Sequence, residues 1–349
     1  MSPRSPIATG VLYATIAALA FGVTTPLVAR AGRDVGAFTT AALLYGGAAA
    51  TALLLRLFSK ATVARLRRAD VPRVVAVALV GGAIAPTLLA WGLQRAGATI
   101  GALLLNLEAV FTVLLARAFF REPIGHRVAI AVAAMVAGGV ALTLEAASWA
   151  SWGAVGVAAV AAATLAWAAD NTLTRPLAER DPLDVVAAKG GLGCVFTTFA
   201  ALVAGEPRPS VAAVAALVAC GATGYGLSLR FYLLAQRRVG AGRTGSVFAL
   251  APFVGAALAF LLGDRAAGPW TAVAATLFGA GVWLHVSERH GHRHRHEAID
   301  HDHAHRHDDG HHAHTHDPPV TGEHSHPHHH DEAEHDHEHA PDIHHGHRH

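Results

Sequence analysis

Residues 97–125 read GATIGALLLNLEAVFTVLLARAFFREPIG, a long apolar run with one carboxylate, Glu108, near its middle and a basic, proline-marked end at Arg121, Glu122 and Pro123. A helix starting near Ala98 rises about 1.5 Å per residue, so Glu108 lies roughly 15 Å along it, at mid-depth in a bilayer core about 30 Å thick. A related stretch comes later, where residues 240–264 read GAGRTGSVFALAPFVGAALAFLLGD. Pairing Gly97 and Ala98 with Gly240 and Ala241 carries Ala109 onto Pro252, and an acidic residue closes each copy, Glu122 and Asp264. The shared start, spacing and acidic end point to a duplicated membrane unit.

Composition agrees. Hydrophobic residues make up 52% of the chain and charged residues only 15%. The polar sequence is concentrated after Ser287, so what precedes is too apolar for a soluble domain of its length. Cys194 and Cys220 both lie inside apolar runs, and no disulfide framework or CxxC metal site is available. The first apolar run continues to Ala29, too long for a signal-peptide core, and reads as a span.

Windows of about twenty predominantly apolar residues place spans at roughly 8–29, 36–58, 71–93, 98–119 and 124–144, then 151–171, 183–205, 209–235, 240–262 and 267–286. The expectation is an all-α polytopic membrane protein of ten transmembrane helices. A first five-helix repeat covers 7–144, a second covers 150–286, and a disordered His-rich tail covers 287–349. Alternate connections on one side carry sixteen Lys and Arg between Arg56 and Arg243, against five on the other, Arg30, Arg33, Arg95, Arg208 and Arg265. The positive-inside rule makes the basic side cytoplasmic, with both termini there, in a multi-pass protein of the cytoplasmic membrane.

The halves also align at their first spans, LAFGVTTPLVA (19–29) against LAWAADNTLTR (165–175), with Phe21 facing Trp167. Five spans per half is an odd number, so the second half enters from the opposite side. Such an inverted repeat lets a central site open to either side in turn. Small residues including Gly81, Gly82, Gly190, Gly193, Gly221 and Gly224 permit close helix approach in lipid. Pro26, Pro86 and Pro252 fall within spans, where each permits a kink, and Pro86 and Pro252 are candidate hinge or cavity-lining points.

On these residues the chain resembles the EamA-type transporters of the drug/metabolite transporter superfamily. LLLNLEAVFTVLLARAFFREPIG (103–125) is similar to that family's fourth-helix pattern and LAPFVGAALAFLLGD (250–264) to its ninth. The resemblance covers residues 7–286. It departs at Ala109, where the family commonly has proline, and at Asp264, where it commonly has glutamate. It implies a secondary transporter, often an exporter, of a small metabolite or toxic compound, with a cavity between the fourth and ninth helices. It does not imply which substrate.

Glu108 is the leading candidate for coupling or substrate binding, because an ionisable group at mid-depth normally faces a cavity, a partner or a proton path. Its carboxylate can bind a proton or a cationic substrate group and release it on the other side. Asn106, two residues away, lies on a different helical face. Arg230 sits seven residues before Arg237, roughly 10 Å inside the boundary, and can snorkel, neutralise an anionic substrate or pair with Glu108. Gln94, Trp91 and Trp167 can line a cavity, although tryptophan near a span end is usually an interfacial anchor. Asp170, Asn171 and Lys189 read as boundary residues, and His126 as solvated. Neither Lys60 nor Lys189 follows glycine, so there is no GxxxxGK[ST] phosphate loop. Transport is then driven by an ion gradient or passive, unless a separate ATPase subunit exists. The expected partners are the lipid bilayer, a small-molecule substrate and a possible homodimer. Enzymatic activity, nucleic acid and a required cofactor are not expected.

The tail holds nearly all of the 26 histidines, among them His292, His294, His296, His301, His303, His305, His307, His335, His337 and His339. Lacking apolar residues for a core, it is expected to be disordered. Imidazoles with interleaved carboxylates suit Ni, Zn, Co or Cu. Three readings remain open: a collector for a transition-metal exporter, a buffer or sensor attached to a transporter of something else, and an expendable histidine drift. A metal-binding or sensing membrane protein without transport is a further alternative.

Overall fold

The computed structural model describes residues 6–59, 65–120, 124–149, 152–177, 180–264, 267–287, 290–296, 299–305, 324–330 and 333–339. Backbone crossing lipid must satisfy its hydrogen bonds within the segment, and the apolar runs form helices throughout. The first half holds α1 (Pro6–Ala31), α2 (Ala37–Phe58), α3 (Val71–Leu79), α4 (Ala85–Ala96), α5 (Ala98–Leu104), α6 (Leu107–Phe120) and α7 (His126–Trp149). The second holds α8 (Gly153–Thr174), α9 (Pro182–Val203), α10 (Val211–Cys220), α11 (Ser228–Phe248), α12 (Ala251–Leu261) and α13 (Pro269–Val286). Among the described residues nine helical stretches are long and apolar enough to cross a membrane, so the chain is a multi-pass membrane protein. The 18-residue α13 occupies the position expected of a tenth.

Four expected spans are interrupted rather than continuous. α3 passes into α4 through a π-helical turn, Val80–Ile84, and α10 into α11 through another, Gly221–Leu227. Such widened turns are rare and concentrate at functional sites. α5 and α6 are parted by a turn at Leu105 and Asn106, and α11 and α12 by one at Ala249 and Leu250. Pro252 therefore opens α12 in its first turn instead of kinking a helix. Pro86 likewise sits in the first turn of α4, while Pro26 does lie inside α1.

α11 runs from Ser228 to Phe248, yet the rings of Tyr232 and Phe248 lie 5.0 Å apart. Sixteen residues of straight helix would separate them by about 24 Å. The chain thus doubles back between Tyr232 and Phe248.

Helices pack as α2 on α9, α1 on α11, α7 on α13, α4 on α8, α5 on α12, α6 on α8 and α12 on α1. The buried core includes Leu44, Leu89, Ile100, Leu104, Leu142, Leu217 and Phe278. Glycine allows the closest approaches. A Cβ on Gly221 would fall on the Leu44 carbonyl and one on Gly47 on the Val218 carbonyl, so α2 meets α10 and the second π turn backbone to backbone. Gly97, at φ 85°, turns the chain between α4 and α5.

The arginine-poor face is tied by side chains that satisfy helix ends. Glu206 accepts from the Phe38 and Thr39 amides at the start of α2, at 3.1 and 2.8 Å. Asp264 accepts from the Thr99 amide of α5 at 2.8 Å, and Glu145 from the Thr271 amide of α13 at 3.0 Å. Arg121, Glu122 and Pro123 lie outside the described residues.

The described residues of the tail form β1 (His290–His296), β2 (Ile299–His305), β3 (His324–His330) and β4 (Ala333–His339), with β1 antiparallel to β4 and β2 to β3. Alternating His-X-His sequence has the two-residue period of a strand. The register sets His292 opposite His337, His294 opposite His335 and His303 opposite His326. His307 lies outside the described residues.

Candidate functional site

Glu108 sits in the first turn of α6, directly after the break at Leu105 and Asn106. A helix N-terminus carries partial positive charge, which favours a carboxylate there. Its Oε1 accepts from Asn171 Nδ2 of α8 at 2.7 Å. Its other carboxylate oxygen has no donor among the described residues. Glu108 is half-buried and Asn171 exposed, although both belong to the packed contact between α6 and α8. The pair is therefore partly open to its surroundings.

One residue before Asn171, the buried Asp170 forms an ion pair with Lys189 of α9. Thr174 Oγ1 adds a longer contact to Asp170 Oδ1, at 3.4 Å. These charges lie inside the helices because α8 continues to Thr174 and α9 begins at Pro182. Asp170, Asn171 and Lys189 thus lie within their helices and beside Glu108 rather than at the ends of the spans. The legible signal was an Asp and a Lys each a full turn or more inside an apolar helix, where unpaired charge is costly.

An aromatic wall completes the site. Tyr45 of α2 donates to the Gly81 carbonyl at 2.5 Å, and Trp167 Nε1 of α8 donates to the same carbonyl at 3.2 Å. The first π turn accounts for this acceptor, since widening the helical ladder leaves carbonyls to be met from elsewhere. Tyr225, in the second π turn, lies 5.5 Å from Tyr45, 6.4 Å from Trp167 and 5.8 Å from Phe21, ring centre to ring centre. Phe21 continues the wall to Phe248 at 5.5 Å, and Phe248 to Tyr232. Tyr45, Tyr225 and Tyr232 all lie within electrostatic range of Glu108.

Of the residues singled out from sequence, Glu108 and Trp167 meet here. Pro252 is buried at the start of α12. Asn106 is buried and turned back on its own helix, its Nδ2 donating to the Leu103 carbonyl at 3.0 Å, so it caps the end of α5. Gln94 donates to the Gly32 and Val35 carbonyls at 2.8 and 2.9 Å and closes the loop between α1 and α2. Trp91 carries the Arg95 guanidinium over its ring at 3.6 Å, near the arginine-poor end of α4. Arg230 is half-buried and makes no ion pair with Glu108. Among the described residues no three His, Cys, Asp or Glu side chains converge on a metal position. The 370 Å³ groove lined by Leu103, Phe253 and Thr271 lies away from Glu108, between α5, α12 and α13.

The EamA-like transporter family matches this sequence over residues 8–144 and again over 154–287. An "uncharacterized transporter" of Methanothermobacter thermautotrophicus is 27% identical over 205 residues, covering 57% of this chain and 60% of the relative's length. A protein of known crystal structure, 19% identical, has the same fold at a TM-score of 0.57 over 80% of this chain and 96% of its own. With its apolar helices and a match over most of its length, the chain belongs to the EamA-like transporter family.

Proposed function

We propose that this protein is a secondary transporter that exports a small metabolite or toxic compound across the cytoplasmic membrane, with Glu108 as the coupling or binding residue. The observation that carries the reading is Glu108 itself, a half-open carboxylate at a mid-span helix break, held by Asn171 beside the Asp170–Lys189 pair. Broken helices at membrane mid-depth are where transporters bind substrates and coupling ions.

Ten spans in two inverted repeats fit the packing. Exchanging the first five spans with the second five maps α1 on α11 to α4 on α8, and α6 on α8 to α12 on α1, while α2 on α9 and α7 on α13 map to themselves. Both halves carry a π turn in the third span and a break in the fourth. With the arginine-rich face cytoplasmic, α5 and α12 join on the outer side, while α6 leans on α8 and leaves Glu108 partly open. A proton or substrate on Glu108 then crosses when the halves exchange roles.

For the tail, we propose binding of Ni, Zn, Co or Cu, supported by its facing histidine positions. Metal as the exported cargo is the second reading. The test is small-molecule and elemental content of cells producing the full chain, Glu108→Gln, or a chain ending at Val286. The expected result is depletion of an organic solute by the full and shortened chains and none by Glu108→Gln. Depletion unaffected by Glu108→Gln overturns the site, and no depletion of anything overturns transport. A metal lowered by the full chain and restored by Glu108→Gln makes the metal the cargo.

A further inference from the structure

We infer that the groove between α5, α12 and α13 binds one acyl chain of a membrane glycerolipid, with the ester carbonyl of that chain at the Thr99 and Thr271 end. Glu108 and its neighbours take no part in the groove. Its opening, its shape and its polar end each point to this occupant.

The groove opens sideways. α5 packs on α12 and α13 packs on α7, but among the described residues α12 and α13 are not packed on each other, so they part above a floor that α5 supplies. The rim residues Ala257, Phe260 and Ala272 are exposed, and the exposed Leu261 and Val273 carry the same apolar surface onward. The surroundings of such helices in a bilayer are hydrocarbon. A chain of lipid reaches this opening directly, and a hydrated solute does not.

Its shape suits a linear chain. The volume is 370 Å³, more than twice that of an apolar cavity of about 150 Å³ that takes benzene. Along α12 the lining runs from Phe253 to Phe260, and along α13 from Gly268 to Ala275. Each stretch is seven residues, about 10 Å of helix. Between these ends both helices contribute mainly alanine, so the walls are smooth and apolar.

The polar end is specific. Thr99 and Thr271 line the groove near the starts of α5 and α13, on the arginine-poor side, and are only 4% and 5% exposed. Their hydroxyls have no hydrogen-bond partner among the described residues. Their backbone amides are already taken, by Asp264 at 2.8 Å and Glu145 at 3.0 Å. A buried hydroxyl without an acceptor is costly, and an ester carbonyl offers two lone pairs. The helix starts lie at the membrane boundary, where the hydrocarbon of a lipid gives way to its esters. A free fatty acid fits less well, because its carboxylate would meet Asp264 and Glu145.

The test uses the purified full chain in detergent and a phosphatidylglycerol carrying a photoreactive diazirine on one acyl chain, with labelled peptides located by mass spectrometry. Saturable labelling concentrated on the stretch from Phe253 to Ala275 is expected. Unlabelled diester phosphatidylglycerol should compete for it, and the diether analogue and oleic acid should compete several-fold more weakly, for want of the ester acceptor or through carboxylate repulsion. Thr99→Val with Thr271→Val, which keeps the shape and removes both donors, should bring diester and diether together. Ala257→Phe with Ala272→Phe fills the groove from its exposed rim and should remove the saturable labelling. The inference is overturned by labelling spread evenly over the helices, or by labelling unchanged in a monodisperse Ala257→Phe, Ala272→Phe chain that unfolds at the unaltered temperature. Equal competition by diester and diether in the unaltered chain overturns the ester contact. Cross-links between two copies of the chain through this face, in place of lipid labelling, overturn the lipid as occupant.

Discussion

The side-chain amide of Asn171 donates to the carboxylate of Glu108 across 2.7 Å, joining residues 63 positions apart. The bond orients the carboxylate without neutralising it, so one oxygen stays without a donor among the described residues. Asn171→Leu should remove that orientation at a cost of about 1 kcal/mol. Solute depletion through Glu108 is expected to fall several-fold, while the unfolding temperature changes little because Asn171 is exposed. Asn171→Asp sets a second carboxylate against Glu108 and should lose more. Equal activity in all three chains would show that the bond has no functional part.

Lys189 and Asp170 are 13% and 3% exposed at their side chains. Removing one member of a buried pair strands the other, and Lys189→Met should destabilise the protein by about 3–5 kcal/mol. The double change Asp170→Asn with Lys189→Met should recover most of that. Thermal unfolding in detergent decides it, and a double variant no more stable than the single one would refute the pairing argument.

Backbone contact between α2 and the region around the second π turn predicts opposite outcomes for neighbouring glycines. Gly221→Ala and Gly47→Ala each drive a methyl onto a backbone carbonyl that cannot retreat, for a loss of about 1–3 kcal/mol. Gly191 has open space around its Cα, and Gly191→Ala should be neutral or stabilise by up to about 1 kcal/mol through helix propensity. The same unfolding assay compares all three.

Glu206 holds the start of α2 through two amides and the Thr39 hydroxyl, the last at 2.7 Å. Losing a cap of this kind costs about 0.5–2 kcal/mol locally. In Glu206→Ala, hydrogen exchange at Phe38 and Thr39 should accelerate at least several-fold. Exchange in the α9 amides should stay as it was. Unchanged exchange at Phe38 and Thr39 would mean that the cap does not hold this end.

The helical breaks show where sequence reading stops. Asn106 stood as a separate candidate on a different face from Glu108, and it caps the helix that ends there. Pro252 looked like a kink, yet the chain had already broken at Ala249 and Leu250. For Pro252 the residue type pointed to a disturbance in a helix, and its neighbours decided which kind. Gln94 and Trp91 had the chemistry of a cavity lining, and their partners proved to be a loop and an arginine.

Hydrophobic run length, arginine asymmetry and the paired stretches at 97–125 and 240–264 were legible from sequence alone, because in a bilayer the length of an apolar run and its flanking charge act locally. Glu108 was legible for the same reason: a charge at mid-depth is costly wherever its helix ends up. Which groups surround it was decided only by tertiary structure. The rotation of α8 and α9 about their axes turned Asp170 and Lys189 inward and set Asn171 against Glu108, and the two π turns brought Gly81 to Tyr45 and Trp167 and Tyr225 to Phe21. Rotation and approach depend on how backbones meet at positions such as Gly47 and Gly221, contacts between segments far apart in the chain that no local pattern encodes.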